Sequence, residues 1–480
     1  IYKEQSRHSL GYDYNSSQAI AAGTPRVTSV NFKDGPKITD KFAGGVKVDY
    51  QPFPGLRMTS AVSYSWFNDM FANRNLNFVT NAANLGAGSS LTKVIANNSN
   101  NANTRVDQSG ESTGKFKDNS NLSYMVNYRH GPWTVDLSLL YSRAREHRGA
   151  LYYGTIGNTP VRLSRVGWTA ERPSVDSSAW YIAQTSGGDW YDWNNWGVYD
   201  AQDMNANKQY GLTEQYTGKL DVKRAMSWEI PTIYQFGLGQ NVAFKHRWAS
   251  ESFVGRYVGP TGNALTSRLP LSQAYFDINT GFGGGIGHLP VVDKEAVYAL
   301  HRDHPEYFTQ SESNLATEIN NVNGSFQSNQ EDVRAFYGMQ QSRLGRWQLL
   351  AGLRVENTRT TSRVPVDVPI PQNPFAIKGT STIGGVPTTV YRVANTRDYA
   401  NYRWSQGTTS TWGEYTDLMP SAAAKYTIRD NLFLKLGYNK AIKRPDLNRT
   451  AGPWSISTDD VTGDSTITVP NPDLKPERSQ

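Results

Sequence analysis

Cysteine is absent from all 480 residues, which excludes disulfide frameworks, thiolate metal sites and cysteine nucleophiles together. Long apolar runs are absent too: no window approaches 18 uninterrupted apolar residues, so no helical membrane span is expected. Hydrophobic residues make up only 38% of the chain and its mean hydropathy is -0.59. Residues Ile1 to Leu10 lack the basic, apolar, small-residue order of a signal peptide, and the first residue is not Met. A part of a longer precursor is therefore expected. No zinc-protease or nucleophile-elbow pattern is present, so an enzyme is not expected. The glycine run from Gly281 to Gly287 does not lie between a strand and a helix in phosphate-loop spacing, and no cofactor is expected. The formal charge of +7 is spread along the chain rather than gathered in a stripe, which leaves no module for nucleic acid.

What the chain has in abundance is aromatics (12%, with 27 Tyr and 13 Trp), glycine (42 residues) and period-two alternation. Trp133, Val135, Leu137, Leu139 and Tyr141 alternate with Thr134, Asp136, Ser138 and Ser142. One face of such a strand is apolar and the other polar. Leu122, Tyr124, Val126 and Tyr128 precede it in the same phase, separated only by His130-Gly131-Pro132, which predicts a hairpin. The layout recurs. Val46, Val48 and Tyr50 lead through Pro52 to Gly55 into Leu56, Met58, Val62, Tyr64 and Trp66. Val333, Ala335, Tyr337 and Met339 precede a turn at Gly345 and then Trp347, Leu349, Ala351, Leu353 and Val355. Tyr216, Leu220 and Val222 pair across Pro231 with Phe236, Leu238, Val242, Phe244 and Trp248, and Ala422 to Ile428 with Leu432, Leu434, Leu436 and Tyr438.

Each tract is long enough for a tilted strand to cross a bilayer, and a barrel tolerates low hydropathy because only alternate residues face lipid. Long stretches without regular alternation separate the hairpins, at about 69–113, 148–213, 252–327, 361–411 and from 445 onward. Short turns on one side and long loops on the other are the asymmetry of outer-membrane barrels, with the loops extracellular. The expected fold is all-β: a transmembrane antiparallel barrel of outer-membrane type, with about eleven strands here if a weak first one lies near Arg7 to Tyr14. Tyr64, Trp66, Trp133, Trp248 and Trp347 suit interfacial girdles. Within the third long loop, Asp293 is expected to cap a helix from Lys294 to His304 that Pro305 ends, with Val297 and Leu300 packed on other loops.

The C-terminal part resembles the TonB-dependent receptor family. YTDLMPS (Tyr415–Ser421) is similar to the family's aromatic-x-D-LLPS approach to a strand, NLFLKLGYNKAIKRPDL (Asn431–Leu447) to its strand ending in Y-S-K-A-x-x-R-P, and NPDLKPERS (Asn471–Ser479) to N-P-x-L-K-P-E. VRAFYGMQQSRLGRWQLLAGLRVENT (Val333–Thr358) resembles the pair in which A-x-Y precedes G-x-R-x-E-x-T. The resemblance implies an N-terminal plug inside a barrel of about 22 strands. On that basis residues 1–480 are expected to be a partial barrel, about half of the strands, without plug or C-terminal strands. It also implies the bacterial outer membrane, import powered through TonB and its inner-membrane motor, and a setting of outer-membrane lipid and lipopolysaccharide. Locally, Arg444-Pro445, Pro472 and Pro476 read as structural, since proline ends or extends a strand without joining its ladder.

For the ligand, the stretch from Trp168 to Tyr199 is the most informative. Trp168, Trp180, Trp190, Tyr191, Trp193 and Trp196 are interleaved with Asp189, Asp192, Asn194 and Asn195. Indole faces beside carboxylates and amides suit sugar rings, so these six aromatics are the candidate ligand-binding residues and an oligosaccharide the first candidate. A ferric siderophore is the alternative, as are a passive pore and a structural surface barrel. The same rings could instead form a small core for the loop. His301 with His304 and Asp459, Asp460 and Asp464 are faint metal candidates, and no metal site is assigned.

Overall fold

A computed structural model describes residues 2–6, 9–14, 25–98, 102–198, 203–264, 268–276, 286–383, 385–445, 455–458, 465–468, 471 and 474–479. Its principal element is one antiparallel sheet whose main path is eleven strands in chain order: β1 (Tyr2–Ser6), β2 (Pro36–Phe53), β3 (Leu56–Ala72), β4 (Ser112–His130), β5 (Trp133–Arg148), β6 (Met204–Met226), β7 (Thr232–Tyr257), β8 (Gln327–Leu344), β9 (Trp347–Pro365), β10 (Thr408–Arg429) and β11 (Leu432–Asn439), with the short strand Phe308–Thr309 paired to the end of β7 off that path. All five predicted hairpins form. His130 pairs with Trp133 and Leu344 with Trp347, each across a two-residue turn whose first residue, Gly131 (φ 53°) or Gly345 (φ 57°), is left-handed. Hairpin turns of this length need positive φ, which glycine adopts without strain.

The first strand differs from expectation. Ser9–Tyr14 is a strand, but it pairs with Val27–Asp34 in a separate sheet, while Tyr2–Ser6 joins the wall against β2. Among the described residues the two ends of the eleven-strand path, β1 and β11, do not pair with each other.

Directly paired residues of an antiparallel sheet share a face, so the register sorts the wall into two surfaces. Val46, Val62, Leu122, Tyr141, Tyr216 and Val242 lie in one row across β2 to β7. Val46 is 70% exposed, and Val62, Leu238, Phe336, Leu353 and Leu436 stand out on the same face. An apolar surface this continuous is out of place in water and stable in lipid. On β8 the sequence reading is corrected: Phe336 faces outward, whereas Val333, Ala335 and Tyr337 face inward. The reason is Tyr337, whose ring crosses Gly237 to reach the Asp221 carboxylate.

The strands outrun the membrane. The 26 residues of β7 span roughly 85 Å, against a hydrocarbon core of about 30 Å. The outward face shows where lipid ends: beyond Val242 the same row continues through Asp332, Arg359 and Glu414, and a little higher Arg145 grips Asp118 (Nε to Oδ1 3.0 Å). About half of β7 therefore projects past the bilayer on the long-loop side.

Candidate functional site

Many of the described residues in the stretches expected to be irregular loops form strands and helices. Six short strands from three stretches of the chain form one sheet, in the order Gly197–Val198, Val161–Ser164, Arg105–Ser109, Arg74–Val79, Val27–Asp34 and Ser9–Tyr14. Lys93–Ala96, Gly167–Glu171 and Tyr181–Ser186 make a second. Between them lies a core of Val30, Phe32, Leu76, Phe78, Val106 and Ile156, joined by Met204, Phe253 and Tyr257 from the tops of β6 and β7. Asp107 clips the first sheet together by accepting from Arg105 (3.0 Å) and Arg162 (2.5 Å).

The six candidate aromatics belong to this layer and divide sharply. Trp168, Trp180, Trp190 and Trp196 are buried. Phe78 meets the edges of Trp168 and Trp190, both at 5.7 Å between centroids, and Trp196 donates through Nε1 to the Trp190 carbonyl at 2.8 Å. Trp180 lies under the Arg172 guanidinium at 4.8 Å. These four rings fill the core of the layer and present no face to a ligand. Trp193 is partly covered, stacks on Trp196 and donates to the Leu269 carbonyl at 3.0 Å. Tyr191 is 46% exposed. Asp189 accepts from the Tyr191 amide and Asp192 from that of Asn194, so the carboxylates shape the turn that presents Tyr191 and Trp193. Tyr199 lies outside the described residues.

The expected helix, α1 (Lys294–Asp303), is present, with Asp293 accepting from the amides of Glu295 and Ala296. Val297 is fully buried in the layer core and Leu300 packs against it. Lys294 turns inward: its Nζ donates to the carbonyls of Gly110 (2.6 Å) and Gly157 (3.2 Å), and burial pulls the amine down to about 7. That amine ties α1 to two other parts of the layer, and Gln108 adds a bond to the Pro290 carbonyl at 2.8 Å. His301 sits against Phe253 and Phe308, where burial pushes its imidazole below the usual value, while His304 faces Glu306 at 2.9 Å. The two histidines have separate partners, and no group of three or more potential metal ligands occurs among the described residues. Asp459, Asp460, Asp464 and most of the glycine run lie outside those residues.

Two further helices were not foreseen. Helix α2 (Glu312–Asn323) opens on a reciprocal cap between Ser311 and Asn314 and covers the upper edge of β7, where Glu318 accepts from the Val254 amide at 2.6 Å. Helix α3 (Arg397–Arg403), capped by Thr396, packs beside it, and Trp404 donates to Asn320 at 2.9 Å. The Ser311-x-x-Asn314 and Thr396 caps were the available signals.

On the inner face, the runs of the C-terminal half that carry the resemblance converge. Glu356 is almost fully buried and is held by Arg354 (2.7 Å) and Arg444, while Asp417 accepts from Arg478 Nε at 2.7 Å. Arg478 is the middle residue of the short pairing of Ala441–Lys443 with Glu477–Ser479, and Arg444 follows that pairing directly. These ion pairs fasten the segment after β11 to the lumen side of β9 and β10. Pro472 lies outside the described residues.

A family model described as TonB dependent receptor-like, beta-barrel, matches residues 164–480. No curated protein matches the sequence. Among solved structures, the chain is similar to the ferric-catecholate import receptor Fiu from E. coli K12. To the closed form it has 12% identity and a TM-score of 0.32, covering 92% of this chain and 50% of that one. To the open form it has 11% identity and a TM-score of 0.32, with coverage of 92% and 54%. For the ferric citrate transporter FecA in its unliganded form the values are 8%, 0.30, 92% and 44%. The chain spans about half the length of these structures. With the family model over most of its length and an antiparallel wall bearing an apolar outer belt, this chain belongs to the TonB-dependent receptor family and is an outer-membrane β-barrel chain.

Proposed function

We propose that the chain is the wall of an energy-coupled import receptor, with the extracellular layer as the first point of ligand capture. The observation that carries this reading is the folded layer itself: a surface scaffold with its own aromatic core is built to hold a fixed recognition surface above the lumen. The wall is an open sheet with a lipid-suited face, and an unpaired strand edge is not tolerated in hydrocarbon. That supports an arrangement in which residues 1–480 supply part of a barrel of about 22 strands and the rest of the protein supplies the closing strands, the plug and its contact with TonB.

Tyr191 and Trp193, flanked by Asp189, Asp192 and Asn195, are the rings left within reach of a sugar, and an oligosaccharide remains the first reading of the ligand. A ferric siderophore is the second, favoured by the exposed Arg148, Lys245 and Arg247 on the lumen face. Above the lipid belt the outward rings Phe42, Trp66, Phe116, His147 and Tyr210 form a ladder across β2 to β6, suited to the headgroup and sugar zone of lipopolysaccharide. The test is accumulation of labelled neutral oligosaccharides and of iron-loaded siderophore by cells carrying the full-length receptor, with and without an uncoupler. Uptake abolished by the uncoupler and reduced by Tyr191→Ala supports capture and energised import. Uptake indifferent to the uncoupler means a passive pore, and no uptake at all a structural barrel.

A further inference from the structure

The lumen face of the wall carries a cationic groove just below the extracellular layer. The register places Lys117, Glu146, Gly211 and Arg247 in one row across β4 to β7. Lys115 pairs with Arg148 beside that row, and Thr213 with Lys245 on its other flank. All these residues alternate with the outward ladder of Phe116, His147, Tyr210 and Trp248, so they face the interior. Gly211 leaves a gap in the row: a Cβ there would meet nothing nearer than Glu146 Cβ at 3.5 Å. The resulting groove has a volume of about 370 Å³ and is lined by Lys117, Glu146, Arg148, Gly211, Lys245 and Arg247.

Its charge is unbalanced. Glu146 faces Lys117 at 2.8 Å and Lys115 at 3.9 Å. Arg148, Lys245 and Arg247 are exposed and have no acidic partner among the described residues. Four other inner-face cations have an acidic partner, Lys37 with Asp69 (3.0 Å), Lys219 with Asp221 (2.9 Å), Lys223 with Asp136 (3.5 Å) and Arg354 with Glu356, while Lys425 and Lys435 lie over the Phe433 ring. A concave surface of one sign focuses the field and raises the local concentration of counter-ions, and guanidinium forks suit carboxylate, phosphate and sulfate oxygens.

We infer that this groove is an anion-binding station on the lumen wall, taking a small ligand with two or more carboxylate, phosphate or sulfate charges. The inference deepens the import reading and rests on it for the ligand's direction of travel, but binding can be measured without transport. A neutral sugar captured at Tyr191 would gain nothing here; an acidic oligosaccharide or a ferric complex of negative charge would.

The test is titration calorimetry of the full-length receptor in detergent with inorganic tripolyphosphate. The triple variant Arg148→Gln/Lys245→Gln/Arg247→Gln is compared with a control, Lys425→Gln/Lys435→Gln, which alters lysines stacked on Phe433 elsewhere on the inner face. The expected result is a salt-sensitive affinity that falls about tenfold or more in the triple variant and is unchanged in the control. Equal affinity in the triple variant and the parent, or an equal loss in both variants, overturns the site. Because both variants are read by binding, an uptake experiment that shows no energy coupling would leave this result standing.

Discussion

The crossing of Tyr337 over Gly237 gives the account a quantitative test. A Cβ at position 237 would lie 2.1 Å from Tyr337 Cε1 and 2.5 Å from Asp221 Oδ1, distances that no real contact sustains. Gly237→Ala therefore lifts the Tyr337 ring off its neighbour. The hydrogen bond from the Tyr337 hydroxyl to Asp221 is lost with it, while Lys219 Nζ at 2.9 Å continues to pair the carboxylate. Overpacking contributes about 1–3 kcal/mol and a hydrogen bond to a charged group about 1.5–3 kcal/mol; with Asp221 still paired, the expected cost is about 3 kcal/mol. Tyr337→Ala removes the nearer obstacle and leaves only the Asp221 carboxylate, which can turn about its side chain, so in that background Gly237→Ala should cost about 1 kcal/mol or less. The double-mutant cycle, read by urea unfolding of the vesicle-inserted protein through tryptophan fluorescence, should thus give a coupling of about 2–3 kcal/mol. Equal costs of Gly237→Ala in the two backgrounds would refute the packing assigned to Tyr337, and with it the inward assignment of β8.

The layer makes two further predictions. Trp168→Ala should destabilise the layer by about 3–5 kcal/mol and expose it to limited proteolysis, whereas Tyr191→Ala should leave its proteolytic resistance unchanged. The amine of Lys294 is held at about 7 rather than 10.5, so the folded layer favours the neutral form. Its contribution is fully present above the unfolded value and is lost as pH falls from there through about 7, with little further change below. Urea midpoints of the layer should rise across that window, and Lys294→Met should flatten the slope.

Much of the wall was legible because its information is local. Five hairpins follow from alternation on either side of short turns, and α1 follows from Asp293 and Pro305. The phase of β8 was misread because the inward Val333, Ala335 and Tyr337 look as apolar as a lipid-facing set; only the partner surface, Gly237 and Asp221, distinguishes them. The layer was illegible for a different reason. Its strands are short, and Val161–Ser164 finds Arg105–Ser109 more than fifty residues away, so no local period announces the pairing. The tryptophans between Trp168 and Trp196 carried a real signal, since the chain had flagged either a ligand surface or a small core. Burial assigns four of the six to the core and leaves Tyr191 and Trp193 at the surface.

Every functional statement depends on which end of the wall faces outward, and the lack of cysteine makes that directly measurable. Single cysteines at exposed Tyr191 in the layer and exposed Arg346 in a hairpin turn would be probed in intact cells with a membrane-impermeant maleimide. The account predicts that Tyr191→Cys is labelled in intact cells and Arg346→Cys only after the outer membrane is permeabilised. Labelling of Arg346→Cys in intact cells, with Tyr191→Cys protected, would contradict it.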